Sequence, residues 1–128
     1  MTTMSKNFSR PYTNDGREIV ASCTVRNTIS APRKVKLVAD LVRGKTCGQA
    51  LEVLRFTHRP SGTPIVEKAI RSAMANASAN HPSPLDLVIG EVAVESGRIE
   101  YRRTYSPRGR AVPIRKRRSH LHIRLTEN

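Results

Sequence analysis

From Tyr101 to Ile123 the chain reads YRRTYSPRGRAVPIRKRRSHLHI, with eight lysines and arginines and no acidic residue. Such a segment cannot enter a hydrophobic core. Burying one unpaired cation costs several kcal/mol, and eight would exceed the whole stability of a small domain, about 5–15 kcal/mol. Its flanks behave differently. RIEYRR (98–103) alternates, with Ile99 and Tyr101 set against Arg98, Glu100 and Arg102, and HLHIRLTE (120–127) places Leu121, Ile123 and Leu125 on one face. Period-two alternation marks a strand with one buried side. These two stretches are expected to pair antiparallel around TYSPRGRAVP, giving a ribbon anchored to a sheet at both ends with no apolar face in its middle. At about 3.3 Å per residue, arms of roughly ten residues project on the order of 30 Å. A lone two-stranded ribbon is marginal in water. Like charges weaken this one further, so the arm is expected to be mobile when free and ordered by a polyanion that neutralises it.

The rest of the chain supplies an anchor. At 128 residues it fits one domain, read as residues 19–128 with the arm at about 98–120, preceded by a flexible basic tail at 1–18. EIVASCTVRN (18–27) has the β-branched, alternating character of a short strand. SAPRKVKLVADLVRGK (30–45) is an amphipathic helix, with Ser30 as cap, Pro32 in the first turn and Gly44 at its end. Val35, Val38, Ala39, Leu41 and Val42 share its apolar face, opposite Arg33, Lys36, Asp40 and Arg43. TCGQALEVLRFT (46–57) gives a second helix capped by Thr46, with Ala50, Leu51 and Leu54 inward. A third begins at Thr63 as cap and Pro64, and stripes Val66, Ala69, Ile70, Ala73 and Ala77 along one side. HPSPLD (81–86) breaks the helical pattern, and LVIGEVAVE (87–95) alternates again, with Val88, Val92 and Val94 opposite Glu91, Ala93 and Glu95. Ser96-Gly97 is expected to turn the chain.

Charge narrows the function. The net charge is +13, and residues 98–128 alone hold ten Lys/Arg against two acids. An excess of that size calls for a polyanion. Arginine predominates over lysine in the arm, and its flat guanidinium binds phosphate in bidentate fashion and stacks on unpaired bases. No amphipathic anchor of large apolar residues accompanies the charge, which disfavours a membrane surface, and no apolar run approaches a membrane span. The N-terminal stretch has no hydrophobic segment of the secretory type. Cys23 and Cys47 stand far apart without metal-ligand spacing, which fits a reducing compartment. His120 and His122 project to one side of a strand, yet no third ligand accompanies them, so alternation on a solvent- or RNA-facing strand explains them better than a metal. No nucleotide-binding, esterase or metalloprotease motif occurs. A DNA-packaging protein with a minor-groove ribbon and a metal-dependent nuclease using His120 and His122 are the two alternatives to an RNA-binding scaffold.

In order, APRKVKLVADLVRGK, ALEVLRF, IRSAMANASAN and RGRAVPIRKRRSHLHI resemble the large-subunit ribosomal protein L-twenty-two family, from about Val20 to Leu125. The resemblance implies an α+β body, three helices packed on a small three-stranded antiparallel sheet, with a long protruding basic β-hairpin. It implies a non-catalytic constituent of the large ribosomal subunit, cytoplasmic or organellar, without cofactor or metal. Its expected partners are large-subunit ribosomal RNA, neighbouring ribosomal proteins and, transiently, the nascent polypeptide. It further implies support of RNA assembly and a hairpin tip, Ser106, Pro107, Arg108, Gly109 and Arg110, that lines the peptide exit tunnel. Arg33, Lys34 and Lys36 match the family's basic helix start; Gly109, Arg110 and His120 match the hairpin motif, and Arg115–Arg118 the returning arm. The candidate RNA-binding residues are Arg33, Lys34, Lys36, Arg43, Lys45, Arg102, Arg103, Arg108, Arg110, Arg115, Lys116, Arg117, Arg118 and His120. The chain departs from the family at Ser106 and Pro107, where Arg or His and then a small residue are favoured, in an outgoing arm about one residue short, and in the added Ala31.

Overall fold

The computed structural model describes Thr13 and residues 15–128; the expected tail lies outside the described residues up to Tyr12 and at Asn14. The last strand organises everything else. β3 (Arg110–Thr126) lies between β1 (Ile19–Thr28) and β2 (Val88–Ser106), antiparallel to both. Leu121, Ile123 and Leu125, fully buried, form three apolar rungs across the sheet. Leu121 pairs with Val25 and Val94, Ile123 with Cys23 and Val92, and Leu125 with Ala21 and Ile89. Each side chain so buried contributes about 1.5–3 kcal/mol, which fixes the register of the whole strand.

Two of three helices, the first and the third, cover the rungs, and the second packs beside them. α1 (Pro32–Val42) buries Val35, Val38, Ala39 and Val42, at spacings of three and four that keep them on one side. α2 (Cys47–Phe56) buries Cys47, Ala50 and Leu54, with Leu51 packed at the core's edge. α3 (Thr63–Ala77) buries the whole expected stripe of Val66, Ala69, Ile70, Ala73 and Ala77. The α1–α2 connection hydrogen-bonds to the start of β2, through Gly44 N–H to Ile89 O at 2.9 Å and Cys47 N–H to Leu87 O at 2.8 Å.

Several local expectations are corrected. Thr46 caps α2, accepting from Gln49 N–H at 3.4 Å, but Ser30 does not cap α1, whose N-cap is Ala31. Pro32 follows at once, so a missing N–H there needs no partner. Thr63 is not the cap of α3 but its first residue; the cap is Gly62, where a Cβ would stand 2.8 Å from Val38 Cγ2 and 3.1 Å from Lys34 O. Close packing on α1 chose that residue. Leu41 remains 46% exposed at the margin of the α1 apolar face. Ser96-Gly97 does not turn the chain, because β2 runs through it with one extra residue, Ser96 opposing Ser119 while Ile99 opposes Arg117. The pair forms a β-bulge. Consequently 98–103 pairs with the arm's returning strand, Ile99↔Arg117 to Arg103↔Pro113, whereas 120–126 pairs with the first part of β2.

On the side of β3 away from the rungs, Arg124 is only 2% exposed and donates to Glu91 Oε2 at 2.9 Å. Replacing Glu91 with Ala is expected to destabilise the fold by about 3 kcal/mol in urea denaturation, since it strips a buried guanidinium of this carboxylate; a loss below about 1 kcal/mol would contradict the ion pair's importance. Burial pushes the Cys47 thiol up to about 11. At pH 8 alkylation is therefore expected at Cys47 only after unfolding, and a mass shift at Cys47 in the native protein would count against this packing.

Candidate nucleic-acid interface

Beyond the bulge, the arm continues through eight paired positions, Ile99↔Arg117 to Ser106↔Arg110. At about 3.3 Å each, they carry the tip roughly 26 Å outward. Pro107, Arg108 and Gly109 connect the strands in a three-residue turn, with φ of 68° at Arg108 and 70° at Gly109. Glycine tolerates that left-handed geometry, whereas an L side chain such as Arg108 carries about 1 kcal/mol of strain.

The arm's cations fall into two groups. Arg103, Arg108, Arg110, Arg115, Lys116 and Arg117 are exposed, and none forms an ion pair with a described residue. Arg102 and Arg118 converge on Glu100, the one acid within the arm. Arg102 Nη2 lies 3.4 Å from it, while Arg118 reaches Oε1 through Nε at 3.0 Å and Nη2 at 2.9 Å. Arg118 also donates through Nη1 to Asn27 O at 3.3 Å. It therefore braces the arm's root against the end of β1. His120 adds to the brace, its Nδ1 accepting from Asn27 N–H at 3.1 Å. Gly97 completes it: a Cβ there would stand 3.1 Å from the Arg118 carbonyl and 3.3 Å from His120 Nε2. Of the expected RNA-binding residues, Arg118 and His120 thus have structural partners at the root.

A second basic surface lies on α1. Arg33, Lys34 and Lys36 are at its N-terminal end, and the first turn contains no acid. Cations there oppose the helix dipole, each at roughly 0.3–1 kcal/mol, and a bound phosphate would relieve that cost. Arg43 is engaged otherwise, pairing with Asp40 at 3.1 Å and donating to Val92 O at 2.9 Å, so it ties α1 to β2. Lys45 is half-buried in the α1–α2 connection.

The histidine pair splits by environment. His122 is 9% exposed, with Nδ1 3.1 Å from Thr24 Oγ1 and Nε2 3.6 Å from Glu95 Oε2. Burial draws its pKa below the ordinary value of 6.5, against the opposing pull of Glu95. Among the described residues no three His, Cys, Asp or Glu side chains gather as a metal set, and no helix is long and apolar enough to cross a membrane.

Sequence reasoning missed Glu100 and Asn27 as braces and Tyr105 as a large exposed side chain. Glu100's isolation among cations was the available signal; nothing local marks Asn27, whose partners lie more than ninety positions away.

Residues 23–126 match the family described as Ribosomal protein L22p/L17e. The chain is 43% identical over 108 residues to the large ribosomal subunit protein uL22 of Oceanobacillus iheyensis, spanning 84% of this chain and 95% of that protein. It is 42% identical over 108 residues to the protein of the same name from Pediococcus pentosaceus, spanning 84% and 91%.

The two groups of arm cations are expected to separate in stability measurements. Replacing Arg115, Lys116 and Arg117 together with Ala should change unfolding free energy by no more than about 0.5 kcal/mol. Arg118→Ala should cost about 1 kcal/mol, by removing the bonds to Glu100 and Asn27. Equal effects would show that the root is not braced as described.

Proposed function

The chain belongs to the ribosomal protein L22p/L17e family, a non-enzymatic family of ribosome constituents, and on that premise we propose that it is a structural protein of the large subunit whose arm binds large-subunit ribosomal RNA. The observation that carries this reading is the arm's uncompensated charge. Six exposed cations, Arg103, Arg108, Arg110, Arg115, Lys116 and Arg117, stand on a two-stranded ribbon whose only acid is already occupied. Free in solution they repel one another. Between RNA segments each neutralises phosphate and releases condensed counterions, so binding is favoured by many small contributions.

Mechanistically the body is a rigid base and the arm a strut. The arm reaches RNA segments distant in sequence and holds them together by screening their mutual repulsion, which assists assembly. The N-terminal end of α1, with Arg33, Lys34 and Lys36, supplies a second set of backbone contacts that fixes orientation rather than sequence. The tip, Ser106 to Arg110, lines the nascent-peptide exit tunnel and meets the growing polypeptide transiently. Neighbouring ribosomal proteins pack around the body.

Substituting Arg115, Lys116 and Arg117 with Ala is expected to leave the fold intact and weaken association with large-subunit ribosomal RNA. The slope of log affinity against log salt should fall by about 2, at roughly 0.7 for each phosphate that is no longer neutralised. Unchanged affinity together with an unchanged slope would contradict the reading.

A further inference from the structure

The register of the arm sorts its side chains into two faces. Directly opposed residues of a strand pair point to the same side, and neighbours along a strand point to opposite sides. Tyr101 opposes Arg115, Arg103 opposes Pro113 and Tyr105 opposes Ala111. One face therefore carries Tyr101, Arg103 and Tyr105 in a row, with Arg115 beside Tyr101. The opposite face, where Arg102 opposes Ile114 and Thr104 opposes Val112, carries no aromatic ring.

Neither tyrosine supports the fold. Tyr101 is 62% exposed and Tyr105 92%. The chain has five aromatic side chains in all, three Tyr and two Phe, so placing two in water on one face of a cationic strut is not what core packing requires. Spacing suggests their use. Successive side chains on one face of a strand stand about 6.6 Å apart, twice the 3.3 Å rise. Stacked bases repeat at about 3.4 Å. Two flat groups at that separation thus leave room for one base between them. Tyr101 and Arg103 bound one such slot, Arg103 and Tyr105 the next, with the Arg103 guanidinium as a plane shared by both.

We propose that this face is a stacking ladder for two unpaired RNA bases, which rests on the RNA-binding reading above. Bases in a duplex have their faces covered, so only splayed, single-stranded nucleotides offer what the slots accept. The charges agree with that ligand. Arg115 stands beside the ladder where the connecting phosphate would pass, and no acid shares this face of the arm from Ile99 to Tyr105 or from Ala111 to Arg117. Phosphate contacts give the arm its affinity, and the ladder makes it prefer unpaired segments over helical RNA.

The test uses the full chain with deproteinised large-subunit ribosomal RNA, comparing wild type with Y101F/Y105F and Y101L/Y105L. Stacking releases no counterions, so the leucine variant should bind about 10- to 100-fold more weakly with the salt slope of the wild type retained. The phenylalanine variant should bind as wild type does, because its ring still stacks. The chain has no Trp, so its intrinsic fluorescence comes from tyrosine and should be quenched on binding in the wild type. Wild-type affinity in the leucine variant, with RNA binding otherwise intact, would overturn the ladder alone. No preference of the wild type for ribosomal RNA over duplex DNA would instead overturn the RNA-binding reading, and the ladder with it.

Discussion

The pairing of β3 with β2 is the interaction on which the rest of this molecule depends. One hydrogen-bonded ladder runs from Val88↔Thr126 inside the body to Ser106↔Arg110 at the tip. Its inner part is held by the rungs at Leu121, Ile123 and Leu125, buried under α1 and α3. Its outer part has no such support and would be a marginal hairpin by itself. Continuity lets the core's register extend outward, so apolar burial at one end orients charges at the other. The bulge at Gly97 marks the transition, and the Arg118–Glu100–Asn27 brace secures it where apolar packing stops.

Charge is handled differently on the two sides of that transition. Within the body, three arginines pair with carboxylates, Arg124 with Glu91, Arg43 with Asp40 and Arg71 with Glu67. In the arm only Glu100 is available, and two arginines already share it. The chain's excess, 23 basic against 10 acidic residues, is therefore concentrated where folding cannot compensate it. A charge imbalance of this kind is a statement about a partner rather than about the fold.

Much of this was legible in the sequence because it depends on periodicity. The apolar stripe of α3, the Thr46 cap, the alternation around Leu121, Ile123 and Leu125, and the basic segment were all readable from local pattern. What escaped depends on pairings between distant residues. Ser96-Gly97 has the composition of a turn and of a bulge alike, and only the pairing with Ser119 and Arg117 decides between them. Gly62 displaced Thr63 as a cap because α1 passes too close for any Cβ. Arg43, Arg118 and His120 resemble free surface groups in sequence, yet backbone groups of Val92 and Asn27 engage them. The tyrosine row escaped for a related reason: the strand was expected to end at Arg103, and only the continuation of β2 to Ser106 puts Tyr105 on the face of Tyr101 and Arg103.

The central claim is that the arm is a strut built for ribosomal RNA, and sedimentation tests it most directly. A cell lysate containing the full chain, or a chain whose arm is shortened from Ile99–Arg117 to a tight turn, is fractionated on a gradient before and after a high-salt wash. The account predicts that the full chain travels stoichiometrically with the large subunit and survives the wash, while the shortened chain, its core intact, is lost from that fraction. Retention of both chains alike, or failure of the full chain to enter the large-subunit peak, would contradict it.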